Sequence, residues 1–241
     1  SPWKWIRFFA HSSRRWRSDM NHTQLGGIRF ANSLPIELAL EKKMVTGPFD
    51  FHRLIPVELN RRMANGELDV SPVSSIFLSR KSDEFALIPD FAISSRSGVK
   101  SVLLFSERPI EELMGVSIGF SGNGETTPAL LRILCNFRYG FEPKIVPEST
   151  QAELVIGDEA LMAVAQKRWE GWHVTDLAEL WTEWTKLDFV FAVWIVRRDF
   201  VENPNFSKTL TALRESKAWG MSHRPEVIRE GLKVLEAVSK K

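Results

Sequence analysis

Short apolar runs alternate with stretches in which apolar residues recur every three or four positions, and from Leu25 onward this alternation predicts an α/β fold. Gly27-Ile28-Arg29-Phe30-Ala31 reads as a first strand. Asn32-Ser33-Leu34-Pro35 then opens a helix, with Asn32 or Ser33 near its cap and Pro35 in the first turn, where a missing N–H costs nothing. Pro56 to Ala64 predicts a helix stopped at Asn65-Gly66, since either residue takes the left-handed conformation readily. Leu68-Asp69-Val70 continues as a strand into Pro72-Val73-Ser74-Ser75, and the serine-rich stretch from Ile93 to Ser101 leads into an apolar strand over Val102 to Phe105.

Farther along, Pro109 to Gly115 reads as a short helix, Val116 to Phe120 as a strand, Ser121 to Thr127 as a loop and Pro128 to Phe137 as a helix. Leu154-Val155-Ile156 is a buried strand, with Asp158 capping a helix over Glu159 to Trp169. A helix from Asp176 places Leu177, Leu180, Trp181 and Trp184 on one core-facing side. Phe189 to Val196 is apolar on both faces and so central in a covered sheet, and helices over Phe206 to Trp219 and Pro225 to Val238 follow. No Pro/Gly/Ser linker interrupts the pattern. Two lobes would therefore be joined by strands, with crossings near Ser101 and Arg197: lobe 1 over 25–101 plus 197–241, lobe 2 over 102–196.

Composition narrows the class. The chain has 241 residues, 32 Lys and Arg against 30 Asp and Glu, and one cysteine, Cys135, so no disulfide framework or Cys-rich metal site is expected. Five of the basic residues precede Asp19, among Trp3, Trp5, Phe8, Phe9 and Trp16, which leaves the rest slightly acidic and argues against a nucleic-acid-binding face. Residues 1–24 read as an extension outside the fold, disordered or non-native. A membrane-surface or RNA-binding arm is the sharper alternative for that segment. No apolar run approaches the roughly 20 residues a membrane-spanning helix needs.

The chemistry follows from what is missing as well as what is present. The five histidines are scattered, no HExxH or GxSxG occurs, and Cys135 falls in a helix on an apolar face, so neither a catalytic metal nor a covalent nucleophile is expected. What remains is a set of small polar residues at predicted strand ends: Asn32, Ser74, Ser75, Ser101, Asn123, Thr126, Thr127 and Asp158. Each alone reads as a cap or turn, but ligands of open α/β sheets bind outside the carboxyl ends of strands. Neutral donors with a helix N-terminus suit an anionic small molecule.

Several of these stretches together resemble the chorismate dehydratase family of the futalosine route to menaquinone. They are Phe30-Ala31-Asn32-Ser33-Leu34-Pro35, Asn65 to Ser75, Pro89 to Ser95, Ser101 to Ser106, Leu154 to Leu161 and Phe189 to Trp194, in the family's order. The resemblance implies a two-lobed fold like that of type II periplasmic binding proteins, with a ligand crevice between the lobes, used as a cytoplasmic hydro-lyase without cofactor or metal. It implies Asn32 and Ser101 as catalytic residues and Thr126 and Thr127 as binders of a substrate carboxylate; Ser74, Ser75, Asn123 and Asp158 complete the substrate-binding set. The expected partner is a small anionic substrate, chorismate, with no nucleic acid and no membrane, and the chain is expected as a monomer or homodimer. The chain departs from the family's usual pattern at Ser97, at Lys186 and Asp188, and in its loop Gly122-Asn123-Gly124-Glu125, where Glu125 adds a negative charge beside the expected anion site. Two other readings share the fold: a non-catalytic binding protein for a small carboxylate, and a lyase like 1,4-dihydroxy-6-naphthoate synthase, for which His173 lacks a matching context.

Overall fold

A computed structural model describes residues 22–240. The chain runs through β1 (Thr23–Ile28), α1 (Leu34–Glu41), β2 (Phe49–Leu54), α2 (Pro56–Asn65), β3 (Val70–Ser74), α3 (Ser75–Arg80) and β4 (Phe85–Ser95). It continues through β5 (Val102–Ser106), β6 (Ser117–Gly119), α4 (Thr126–Ile133), β7 (Lys144–Val146), β8 (Ala152–Ile156), α5 (Asp158–Ala165), β9 (His173–Asp176) and α6 (Leu177–Thr185). β10 (Phe189–Arg197), α7 (Pro204–Ser222) and α8 (Arg224–Ser239) close it.

These elements form two compact units. The first takes the chain up to Ala92 and returns over Ala192–Glu230; the second takes Ile93–Phe191, and the last turns of α8 also belong with it. The crossings thus fall inside β4 and β10, several residues before the Ser101 and Arg197 expected from the sequence, because both strands run on through the boundary instead of starting at it. The reading of residues 1–24 as an extension outside the fold lies outside the described residues up to residue 21, but Thr23 and Gln24 are already strand. β1 starts four residues earlier than predicted and ends at Ile28, where the chain turns at Phe30 toward α1.

In the first unit the described strands form a five-stranded sheet of order β2-β1-β3-β10-β4. β1 is parallel to β2 and β3, and β10 is antiparallel to β3. Its core gathers Leu25, Val70, Ile88, Trp194, Val196, Phe206, Leu210 and Leu213. Two glycines in β1 are there for space: a Cβ at Gly26 would lie 2.3 Å from Ser71 Oγ, and one at Gly27 would lie 2.5 Å from the Phe51 ring and 2.9 Å from Glu37 Oε2. Arg197, buried at the end of β10, lies 3.2 Å from Asp69 and 3.0 Å from Asp199, and Asp69 accepts the Gln24 N–H at 2.8 Å. Burial raises the Asp69 carboxyl, against the pull of that N–H and of Arg197.

The second unit holds a sheet of order β7-β6-β8-β5-β9, with β6 parallel to β7 and β8 and β5 antiparallel to β8 and β9. β5 is buried along its whole length because its two faces serve two cores. Leu104 joins Ile118, Leu130, Leu131 and Leu154 on one side, while Leu103 and Phe105 join Val155, Ala160 and Ala163 on the other. Trp169 stacks on Phe105, whereas Trp184, expected in the core, is 39% exposed. Cys135 sits buried in a widened helical turn after α4, and burial pushes its thiol up to about 12, as befits an inert packing residue. No helix among the described residues is long and apolar enough to cross a membrane.

Candidate active site

Each unit collects predicted site residues at one sheet edge. In the first, β1 and β3 are parallel neighbours, so Asn32, just beyond β1, and Ser74 and Ser75, at the end of β3, lie at the same edge. Asn32 occupies a 3-10 turn over Ala31–Ser33; its side chain is exposed and makes no hydrogen bond among the described residues. Ser74 is buried opposite Ala192 of β10, and its N–H donates to the buried Asn60 Oδ1 at 3.1 Å.

Ser33 occupies the N-cap position of α1, as expected of Asn32 or Ser33, but its side chain makes no capping hydrogen bond. Ser33 Oγ instead turns back toward the strand end, 2.6 Å from Ile28 O, 2.9 Å from Phe30 O and 3.0 Å from Glu37 Oε2. Glu37 Oε1 accepts the Ile28 N–H at 2.8 Å. Arg53 reaches across from β2: its Nη2 donates to Ile28 O at 3.1 Å and to Phe30 O at 3.3 Å, and its Nη1 to Glu41 at 2.8 Å. The Arg53 Nε lies 3.3 Å from Glu37 Oε2 yet makes no hydrogen bond. Burial drives the Glu37 carboxyl up to about 8, with Ile28, Arg53 and Ser33 only partly opposing it. The unfolded value is near 4.5, so between these pH values the native chain holds a proton that the unfolded chain has lost, and stability declines as pH rises through that window.

In the second unit, the carboxyl ends of β6 and β8 and the start of β5 share one edge, since Gly119 pairs parallel with Glu153 and Val102 antiparallel with Ile156. Ser101 is buried there, and its carbonyl accepts the Gly157 N–H at 2.7 Å. Lys100, at φ 60°, donates its N–H to Asp176 Oδ2 at 2.7 Å and so fixes the approach to Ser101. The loop after β6 folds over Ile156: a Cβ at Gly122 or Gly124 would lie 3.3 or 3.2 Å from that side chain. Ser101, Asp158 and the Asn123 loop are thereby gathered around the end of β8.

Details differ from expectation. Asp158 is the first residue of α5 and not its cap; that place is taken by Gly157, at φ 65°. α4 begins at Thr126, two residues before Pro128, and Thr126 Oγ1 donates to Phe191 O at 3.0 Å. That hydroxyl proton is committed to the backbone, and Thr127 beside it is buried in the first turn of α4. Asn123 is exposed. A cavity of about 260 Å³ nearby is lined by Ser121, Glu148, Glu153, Glu159, Arg168 and Trp169, and contains none of the predicted site residues. Three carboxylates make it a poor anion site, and its one arginine is paired with Glu159 at 3.0 Å. No group of three His, Cys, Asp or Glu side chains among the described residues is placed to hold a metal ion.

Two units, each with its own five-stranded sheet, define a two-lobed α/β protein whose fold is like that of the periplasmic binding proteins. A crystal structure of a protein from Archaeoglobus fulgidus matches with a TM-score of 0.72 at 20% identity, covering 90% of this chain and 83% of that one. The periplasmic aliphatic sulphonate-binding protein of Escherichia coli matches with a TM-score of 0.62 at 14% identity, over 90% of this chain and 75% of its own. Residues 23–238 match the family described as menaquinone biosynthesis, and the chain belongs to that family. The chorismate dehydratase of Thermus thermophilus is 33% identical over 224 residues, which span 84% of this chain and 79% of the relative.

Proposed function

We propose that this protein is a chorismate dehydratase of menaquinone biosynthesis, a hydro-lyase converting chorismate to 3-[(1-carboxyvinyl)oxy]benzoate in the cytoplasm. The observation that carries the reading is its 33% identity to the Thermus enzyme across 84% of the chain. The chemistry asks little of the protein. The C3 proton leaves, its electron pair enters the ring, the C4–O bond breaks, and the proton and hydroxide depart as water from an aromatic product. Because the ring diene passes the developing charge to the ring carboxylate, donors held against that carboxylate stabilise the transition state more than the substrate.

The first turn of α4 and the Thr127 hydroxyl take that role, with Ser74, Ser75, Asn123 and Asp158 completing the substrate contacts. Asn32 and Ser101 orient the leaving hydroxyl and the enolpyruvyl carboxylate, and the substrate's own carboxylate accepts the proton. Purified protein incubated with chorismate is expected to give, by mass analysis, a product lighter by one water. Intact chorismate that nevertheless binds in a calorimeter would replace this reading with that of a carboxylate-binding protein.

Glu125, immediately before α4, sits where its charge favours the helix but opposes an incoming anion. Glu125→Gln is expected to lower KM for chorismate about two- to fivefold, in line with the few tenths to about 1 kcal/mol that charges near helix termini contribute. Steady-state kinetics at low ionic strength would register the change, and a KM that rises would count against the carboxylate site.

A further inference from the structure

We infer that Glu37 is a positioning residue that holds the Asn32 turn in its acid form, by giving its carboxyl proton to Ser33 Oγ. The inference rests on the reading of Asn32 as catalytic. Its basis is a count of protons. Ser33 Oγ has three oxygen neighbours within hydrogen-bond distance, Ile28 O at 2.6 Å, Phe30 O at 2.9 Å and Glu37 Oε2 at 3.0 Å, but a hydroxyl has one proton to give. Carbonyls cannot donate. The single hydroxyl proton goes to the shortest contact, Ile28 O, while Phe30 O accepts from Arg53 Nη2 and the Ser33 N–H, and the contact with Glu37 is satisfied only if the carboxyl supplies the second proton.

Two further observations agree. The Arg53 Nε, 3.3 Å from the same carboxyl oxygen, is not aimed at it, as expected if that oxygen carries a proton and no charge. The guanidinium finds its counter-charge in Glu41, on the next turn of α1. Glu37 is fully enclosed, and Gly27 leaves the space its carboxyl fills. Burial places its ionisation near 8. Arg53 from β2 is the charged group paired with it among the described residues; β1 presents the Ile28 N–H and Gly27, and α7 packs on α1 through Ser216 and Gly220.

Ionisation would reverse the arrangement. The Ser33 proton would be drawn to the carboxylate and its lone pairs would face Ile28 O, so that Arg53 Nη2 and the Ser33 N–H alone would hold the strand-end carbonyls and the turn carrying Asn32 would loosen. Turnover is then expected to fall about tenfold per pH unit above about 8, with KM little changed. Glu37→Gln, whose amide offers Ser33 the same proton at every pH, is expected to lose that alkaline limb. Glu37→Ala is expected to lower kcat about tenfold or more across the whole range, as a misplaced catalytic group does.

The test needs no assumption about activity in its first arm. Carbon-13 NMR of the glutamate side-chain carboxyls in the full wild-type chain is expected to reveal one titrating near 8; if all titrate below about pH 7, the proposal is overturned. An alkaline limb that persists unchanged in Glu37→Gln also overturns it. Full turnover by Asn32→Ala, with one carboxyl still titrating near 8, overturns the catalytic reading of Asn32 and with it the positioning role, while the proton count stands.

Discussion

Asn32→Ala is expected to reduce kcat for chorismate about a hundredfold or more, the usual cost of deleting one preorganised donor, while unfolding free energy stays within about 0.5 kcal/mol of wild type. The stability half of this expectation comes from the geometry. The Asn32 side chain is exposed, caps nothing and makes no hydrogen bond among the described residues, whereas its neighbour Ser33 is buried and ties the turn to the end of β1. A loss of activity in Asn32→Ala therefore reports on chemistry and not on folding. Ser33→Ala provides the contrast, since it removes the link between Ile28 O and Glu37 and is expected to lower both turnover and stability. Chorismate kinetics with urea unfolding on the same samples separate the two. Wild-type turnover in Asn32→Ala would move the catalytic assignment elsewhere.

The second large effect is structural. Gly220→Ala is expected to destabilise the first unit by about 3 kcal/mol or more, at the upper end of overpacking costs. A Cβ at Gly220 of α7 would lie 2.0 Å from Pro35 O and 2.8 Å from Pro35 C, both backbone atoms of α1, so no side-chain rotation relieves the contact. The helices are also pinned one turn earlier, where the buried Ser216 hydroxyl donates to Ile36 O. Either they separate, losing that bond and the packing around it, or α1 shifts. Because α1 follows directly from the Asn32 turn, the variant is expected to lose activity at temperatures where it remains folded. A urea midpoint unchanged from wild type would show that α1 and α7 are not held this closely.

Much of this architecture was legible because the signals are local. Gly66 takes φ 73° at the end of α2 as Asn65-Gly66 predicts, and Asp176 accepts the N–H groups of Ala178 and Glu179 at the start of α6. Phe189 to Val196 is a strand, with Trp194 in the core. The elements that the sequence pattern does not predict lack such signals. β2, Phe49–Leu54, mixes Asp50, His52 and Arg53 with aromatic residues, and β9 is four residues long and largely exposed.

The strand-end positions of Asn32 and Ser101 were also legible, since a small polar residue flanking an apolar run marks a junction. The support beneath Asn32 was not. A glutamate reads as a surface residue, and its burial is decided by Gly27 on one strand and Phe51 and Arg53 on another, brought beside it by the sheet. Two clues were nonetheless in the sequence. Glu37 lies on the helical face of Leu34 and Leu38, and Gly26-Gly27 interrupts a strand that has no turn to make.

The path of the chain also sets an order of assembly during synthesis. β10 lies between β3 and β4 in the finished sheet, yet it is made after the whole of the second unit's Ile93–Phe191 stretch. Until residues 192–213 emerge from the ribosome, the first sheet has a gap where β10 belongs, and its core lacks Trp194, Val196, Phe206 and Leu210. The later-encoded unit, nearly continuous in sequence, can close first, reversing the usual N-terminal-first order of translation. A nascent chain halted before β10 carries an unpaired edge on β3, the kind of surface on which chaperones act and aggregates begin.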